Sequence, residues 1–157
     1  AGLARHVTTV ANKGTCYNLT LIDKVTDSNN NLLYDNQATV RNTLDDVSES
    51  TWNAVQLGMK RVVEKKSYFQ ELGVTVAGKT GTAQESKTRA NHALFVCFAP
   101  YEEPEIAIAT RIAFGYSSDY AAQTTKDVLA FYYGVDDDED IVTGTAADIE
   151  TGAVSGD

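Results

Sequence analysis

Lys79, Thr80, Gly81 and Thr82 form the run K-T-G-T, set within "GVTVAGKTGTAQ" from Gly73 to Gln84. Two chemistries fit these letters. The first eight, "GVTVAGKT", satisfy the phosphate-loop spacing G-x-x-x-x-G-K-[ST], in which a curled glycine-rich backbone turns its N–H groups on an anion at the start of a helix. The four variable positions argue against it. They are Val74, Thr75, Val76 and Ala77, and the three β-branched residues favour an extended backbone over a curl. After Thr80 the chain runs through Gly81, Thr82 and a polar turn instead of a helix, and no strand ending in a magnesium-binding Asp is evident downstream. A nucleotide-binding module is therefore the remote alternative.

The second chemistry belongs to a strand. A lysine on an open strand supplies fixed positive charge for a carboxylate, and the hydroxyls of Thr80 and Thr82 hydrogen-bond the same anion. Gly81 removes a side chain where a second extended backbone, such as a peptide, lies along the strand edge. The N–H just after the glycine can face a developing oxyanion. By these four residues alone, an ordinary sheet edge with a solvated lysine is an equal alternative.

Those residues need elements to hold them. Leu3, Val7, Val10 and Ala11 recur at helical spacing, and Gly14 is placed to end that helix. "YNLTLIDKVTDSNNNLLYD" alternates and turns at "DSNNN", the pattern of a hairpin. A second helix starts with Ser48 as its N-cap and carries the stripe Trp52, Val55, Met59, Val62 and Val63. Three strands follow, "VTVAGKTGTAQ", "HALFVCFAPY" and "EIAIATRIAFG", and their short links imply antiparallel pairing. In the third strand, Ile106, Ile108, Ile112 and Phe114 share one face and Ala107, Ala109 and Ala113 the other, where small residues allow a second layer to approach. A last helix from Asp119 to Tyr133, capped by the serines before it, is expected to bury Ala121, Thr125, Val128, Leu129 and Tyr132. The fold class is α+β, an antiparallel sheet of three strands plus a hairpin, flanked by helices.

Composition narrows the function. The 157 residues are 43% hydrophobic and 22% charged, which is globular, and no run reaches the roughly 20 apolar residues of a membrane span. The net charge is −9, but eight of the acids lie in residues 135–157, which hold no Lys or Arg, so the body is close to neutral. Nucleic-acid binding gets no support from such a balance. The acidic stretch is expected to be a disordered tail. Cys16 and Cys97 lack metal-ligand spacing, and Cys97 sits in "ALFVCFAP" as a small buried thiol. His92 reads as packing at a strand start, and neither it nor His6 is assigned as a general base.

"VAGKTGTAQ", "NHALFVCFAPYEEPEIAIATRI" and "YAAQTTKDVLAFYYG", in that order, resemble the C-terminal end of penicillin-binding proteins, of the class B D,D-transpeptidase type. "LARHVTTVANKGT" and "VQLGMKRVVE" resemble the segments preceding them, so the resemblance covers residues 1–134. That family uses three motifs, S-x-x-K, S-x-N and K-T-G. No serine here has a lysine three residues later, and Ser28–Asn30 matches S-x-N only within the hairpin turn. One departure is Cys97, where relatives often carry glycine.

By resemblance, Lys79 contributes positive potential, and Thr80 and Thr82 bind the carboxylate of a substrate or β-lactam beside Gly81. The Thr82 N–H forms half of an oxyanion hole. The partners implied are the D-Ala-D-Ala stem peptide, β-lactams and the rest of the transpeptidase domain, with no metal or organic cofactor. The chain is expected to be part of a longer enzyme working outside the cytoplasmic membrane, inactive without the serine. The strand 105–114 is expected to show an open edge and uncovered apolar faces, prone to self-association. A penicillin-recognising sensor and a carboxypeptidase or β-lactamase relative are the alternatives.

Overall fold

In the computed structural model, which describes residues 1–135, helix α1 (Gly2–Ala11) buries Val7, Thr9, Val10 and Ala11. Leu3, expected on the same face, is exposed, because only the C-terminal half of the helix is covered. Gly14, at φ +101°, follows the helix end and donates its N–H to Thr9 O at 2.9 Å. No side chain fits there, since a Cβ would lie 3.0 Å from Trp52 Cζ2.

Two short antiparallel ladders are nested in the next thirty or so residues. The inner one is the expected hairpin, β2 (Lys24–Thr26) with β3 (Leu32–Asp35). Its turn is built by Asp27, whose Oδ1 accepts from Asn29 N and Asn31 N while Oδ2 accepts from Asn31 Nδ2. These bonds, led by the Asn31 side chain, hold the Asp27 carboxyl below its ordinary range. The outer ladder, β1 (Thr15–Tyr17) with β4 (Val40–Thr43), is absent from the sequence reading because strands this short carry almost no periodicity.

Ser48 caps α2 (Glu49–Glu64), its Oγ accepting from Thr51 N. The buried stripe is Trp52, Gln56 and Val63; Val55 is exposed and Met59 and Val62 are only half-buried. The helix is rotated from the expected face because Gln56 is needed inside. Its Nε2 donates to Ala11 O at 3.1 Å and to Val10 O at 2.8 Å, the latter also accepting from Lys13 N, and so adds bonds to the carbonyls at the end of α1. A 3-10 helix, Ser67–Leu72, then contributes Phe69 and Leu72 to the core.

The main sheet is antiparallel in the order β5 (Ala77–Ala83), β6 (His92–Ala99), β7 (Ile106–Ile112). Ile106, Ile108 and Ile112 face one core with Phe95, Cys97 and helix α3 (Ser118–Tyr133). Ala107 faces a second core with Phe98, Ala77 and the α1 residues Val7, Val10 and Ala11. The alternation read in β7 thus separates two layers. Phe114 leaves this pattern, lying beyond the strand end at φ +55°.

Ser117 caps α3 through Asp119 N. The helix buries Ala121, Ala122, Thr125, Leu129 and Ala130, whereas Val128 and Tyr132 face outward, contrary to expectation. Alanines inside let the helix lie close to the sheet. Thr125 is tolerated there because its Oγ1 donates to Ala121 O at 2.7 Å and meets Thr110 Oγ1 at 2.7 Å.

Candidate active site

Residues 77–83 are extended and pair with β6 from Ala77 opposite Phe98 to Ala83 opposite His92. A strand here, followed by no helix until Ser118, excludes the phosphate-loop geometry at Gly73–Thr80. The S-x-N match at Ser28–Asn30 lies in the β2–β3 turn, remote in sequence from this strand.

β5 is an end strand of the sheet, so alternate backbone groups along its outer side have no partner strand among the described residues. Ala77 and Gly78 are buried, and exposure begins at Lys79. Strand alternation separates the polar side chains. Thr80 and Thr82, opposite Phe95 and Ala93, share the face of the α3 core, while Lys79 and Gly81, opposite Val96 and Leu94, share the other. The lysine and the threonines therefore converge only around the strand's edge. Lys79 Nζ turns along the backbone and donates to Thr80 O at 2.9 Å. Among the described residues no carboxylate pairs with Lys79, and no hydrogen-bond partner occupies the hydroxyls of Thr80 and Thr82.

The two glycines of the strand differ. A Cβ on Gly78 would stand 2.5 Å from Phe95 Cζ, so the fold itself requires glycine. A Cβ on Gly81 would meet Leu94 Cβ at 3.4 Å, an ordinary contact. Packing among the described residues does not require glycine at Gly81.

Behind the strand, Cys97 is a free, fully buried thiol pushed up to about 12 by burial, partly offset by a hydrogen bond from the Ile108 backbone. It is inert packing. His6 is exposed on α1. His92 is more than the packing residue expected. It is buried, with Nε2 2.6 Å from Glu85 Oε2 and Nδ1 3.1 Å from the Phe114 backbone nitrogen. Its partners lie 7 and 22 residues away, so no local pattern announces them.

The sheet, its helices and the strand can be set beside known proteins. The family model "Penicillin binding protein transpeptidase domain" matches residues 2–130. The chain belongs to the penicillin-binding protein transpeptidase family. Peptidoglycan D,D-transpeptidase MrdA of Acinetobacter baumannii is 34% identical over 98 residues, covering 54% of this chain and 14% of that protein. Among solved structures, penicillin-binding protein 2B of Streptococcus pneumoniae superposes with a TM-score of 0.72 at 22% identity, over 84% of this chain and 24% of that one. Penicillin-binding protein A of M. tuberculosis, solved as an imipenem acyl-enzyme complex, gives 0.68 at 23% identity, over 85% and 30%. These last two establish the shared α+β transpeptidase fold. The chain thus spans a minor part of the length of each relative. Among the described residues no helix is long and apolar enough to cross a membrane.

Proposed function

We propose that this chain is the C-terminal part of a class B peptidoglycan D,D-transpeptidase domain, and that β5 is its substrate strand. One observation carries the reading. The edge of β5 presents Lys79, Thr80 and Thr82 with polar groups uncommitted to any carboxylate or hydroxyl partner among the described residues, around a Gly81 that internal packing does not require.

The ligand is a D-Ala-D-Ala stem peptide, or a β-lactam in its place. An extended peptide adds to the free edge, and its carboxylate takes hydrogen bonds from Thr80 and Thr82 under the positive potential of Lys79. The Thr82 N–H points at the carbonyl oxygen under attack. A serine hydroxyl adds to the penultimate D-Ala carbonyl, a base accepts its proton, and the bond to the terminal D-Ala breaks to leave an acyl-serine. An acceptor amine then displaces the serine and completes the cross-link. No S-x-x-K occurs in the 157 residues, so the serine and its base come from a preceding part of the domain, which works on the extracytoplasmic face of the membrane.

Excess penicillin should leave the intact mass of this chain unchanged. In a full-length transpeptidase containing the segment, the same reagent should label a serine upstream of residue 1. Lys79→Ala or Thr82→Val should slow that labelling about 10- to 100-fold, the effect of losing one hydrogen bond to a charged group. A penicilloyl adduct on a serine of this chain refutes the assignment, and unchanged labelling in both variants refutes the roles given to the strand.

A further inference from the structure

The segment leaving β5 and the turn between β7 and α3 meet at one buried imidazole. Phe114 N can only donate, so the His92 Nδ1 3.1 Å away is the acceptor. In the neutral ring the proton then sits on Nε2 and is donated to Glu85 Oε2 at 2.6 Å. The Arg111 guanidinium, 3.1 Å from the same Nε2, has only hydrogens to offer and stands there as a neighbouring positive charge. Both ring nitrogens are thereby committed, one to each loop.

The turn held by Nδ1 is strained. Phe114 and Tyr116 both have left-handed backbones, at φ +55° and +61°, with Gly115 between them packed so closely that a Cβ would fall 2.9 Å from Ala93 Cβ. Such conformations persist only when their surroundings over-determine them. Ile112 of β7 packs equally close to Gly115, and the remaining surroundings come from the far end of the β5–β6 loop and the start of β6. Asn91 O accepts from Tyr116 N at 3.2 Å, the Arg89 guanidinium lies 5.3 Å from the Phe114 ring, and the His92 and Phe114 rings are 4.8 Å apart.

We infer that His92 is a positioning residue, a latch whose two nitrogens lock the segment following Thr82 against the strained turn before α3. Glu85 is three residues beyond Thr82, so this latch sets where the K-T-G-T strand ends and how the strand's edge is walled. Its effect on acylation rests on the function proposed above; the latch itself does not.

The test has two arms. In the 157-residue chain, long-range ¹H–¹⁵N correlation should show the proton on His92 Nε2 and a bare Nδ1. A proton on Nδ1 overturns the inference. His92→Phe should speed amide exchange at Phe114 about tenfold, the size expected for one lost hydrogen bond, with Val96 unchanged. His92→Asn, which keeps an acceptor near Nδ1, should restore most of that protection. Should His92→Phe fail to fold, the exposed Glu85→Ala leaves the core intact and should speed exchange through 86–90. Unchanged exchange in these variants refutes the latch.

In the full-length enzyme, His92→Phe and Glu85→Ala should each slow penicillin acylation about tenfold, with recovery in His92→Asn. If Thr82→Val slows acylation and these two do not, the positioning role is wrong. If Thr82→Val is itself without effect, the strand reading has failed, and the latch is decided by tautomer and exchange alone.

Discussion

A methyl group added at Gly78 would be driven into Phe95, whereas one added at Gly81 meets only an ordinary contact with Leu94. The two substitutions should separate fold from function. Gly78→Ala should cost about 1–3 kcal/mol of stability, the usual penalty of overpacking. Gly81→Ala should change stability by less than about 1 kcal/mol, and in the stabilising direction, because glycine in a strand interior is entropically costly. In a full-length transpeptidase, Gly81→Ala should nonetheless slow penicillin acylation by closing the path of the incoming backbone. Chemical denaturation and acylation rates check the pair. Equal losses of stability at both positions would show that Gly81 is a packing glycine after all.

At the scale of elements, α3 is fastened at its N-terminus by one carboxylate. Asp119 Oδ1 accepts from Tyr68 OH at 2.8 Å and pairs with Lys66 Nζ, and Oδ2 accepts from Gln123 Nε2 at 3.3 Å. Burial alone would raise the Asp119 pKa, but the bonds from Lys66 and Tyr68 outweigh it and hold the group below its ordinary value of 3.8. Burial first, and then the same carboxylate, push the Tyr68 hydroxyl up. A depressed folded-state value stabilises the protein fully above the unfolded value and loses that contribution as pH falls through the folded one. Asp119→Asn should therefore destabilise by about 1 kcal/mol at neutral pH, since the group is partly solvated, and by nothing once pH drops below the folded value. Melting curves between pH 7 and pH 2 test this. A penalty that persists undiminished at pH 2 would contradict the ion-pair account.

At the scale of the molecule, the main sheet has two end strands, β5 and β7. β5 is the proposed peptide-binding edge. The faces of β7, expected to be uncovered, lie against α1 and α3, but the strand has no partner strand on its outer edge among the described residues. Unpaired N–H and C=O groups along a seven-residue strand invite a second chain, so sedimentation should reveal dimers or larger species as concentration rises. A strictly monomeric chain over a wide concentration range would count against pairing at β7. The acidic run in 135–157 lies, apart from Val135, outside the described residues.

Local chemistry carried much of this architecture in the sequence. Asp27 and the asparagines after it specify a turn by bonds within four residues, and Ser48 and Ser117 cap the helices that follow them, whereas the strand expected from Val74 begins only at Ala77. Period two in "EIAIATRIAFG" foretold two differently packed faces of β7, and K-T-G-T is the pattern on which the carboxylate-binding proposal rests. What only the tertiary structure decided depends on residues distant in the chain. Gln56 is buried because α1 ends beside it, and α3 turns its alanines inward because the sheet lies close. Gly78 and Gly81 look alike until Phe95 and Leu94 are placed behind them. His92 reads as a strand start until Glu85 and Phe114 fold onto its two nitrogens. A pattern of letters records which groups are present and how often they recur. Which donor meets which acceptor, and which glycine faces open space, follow from packing between elements that the sequence leaves far apart.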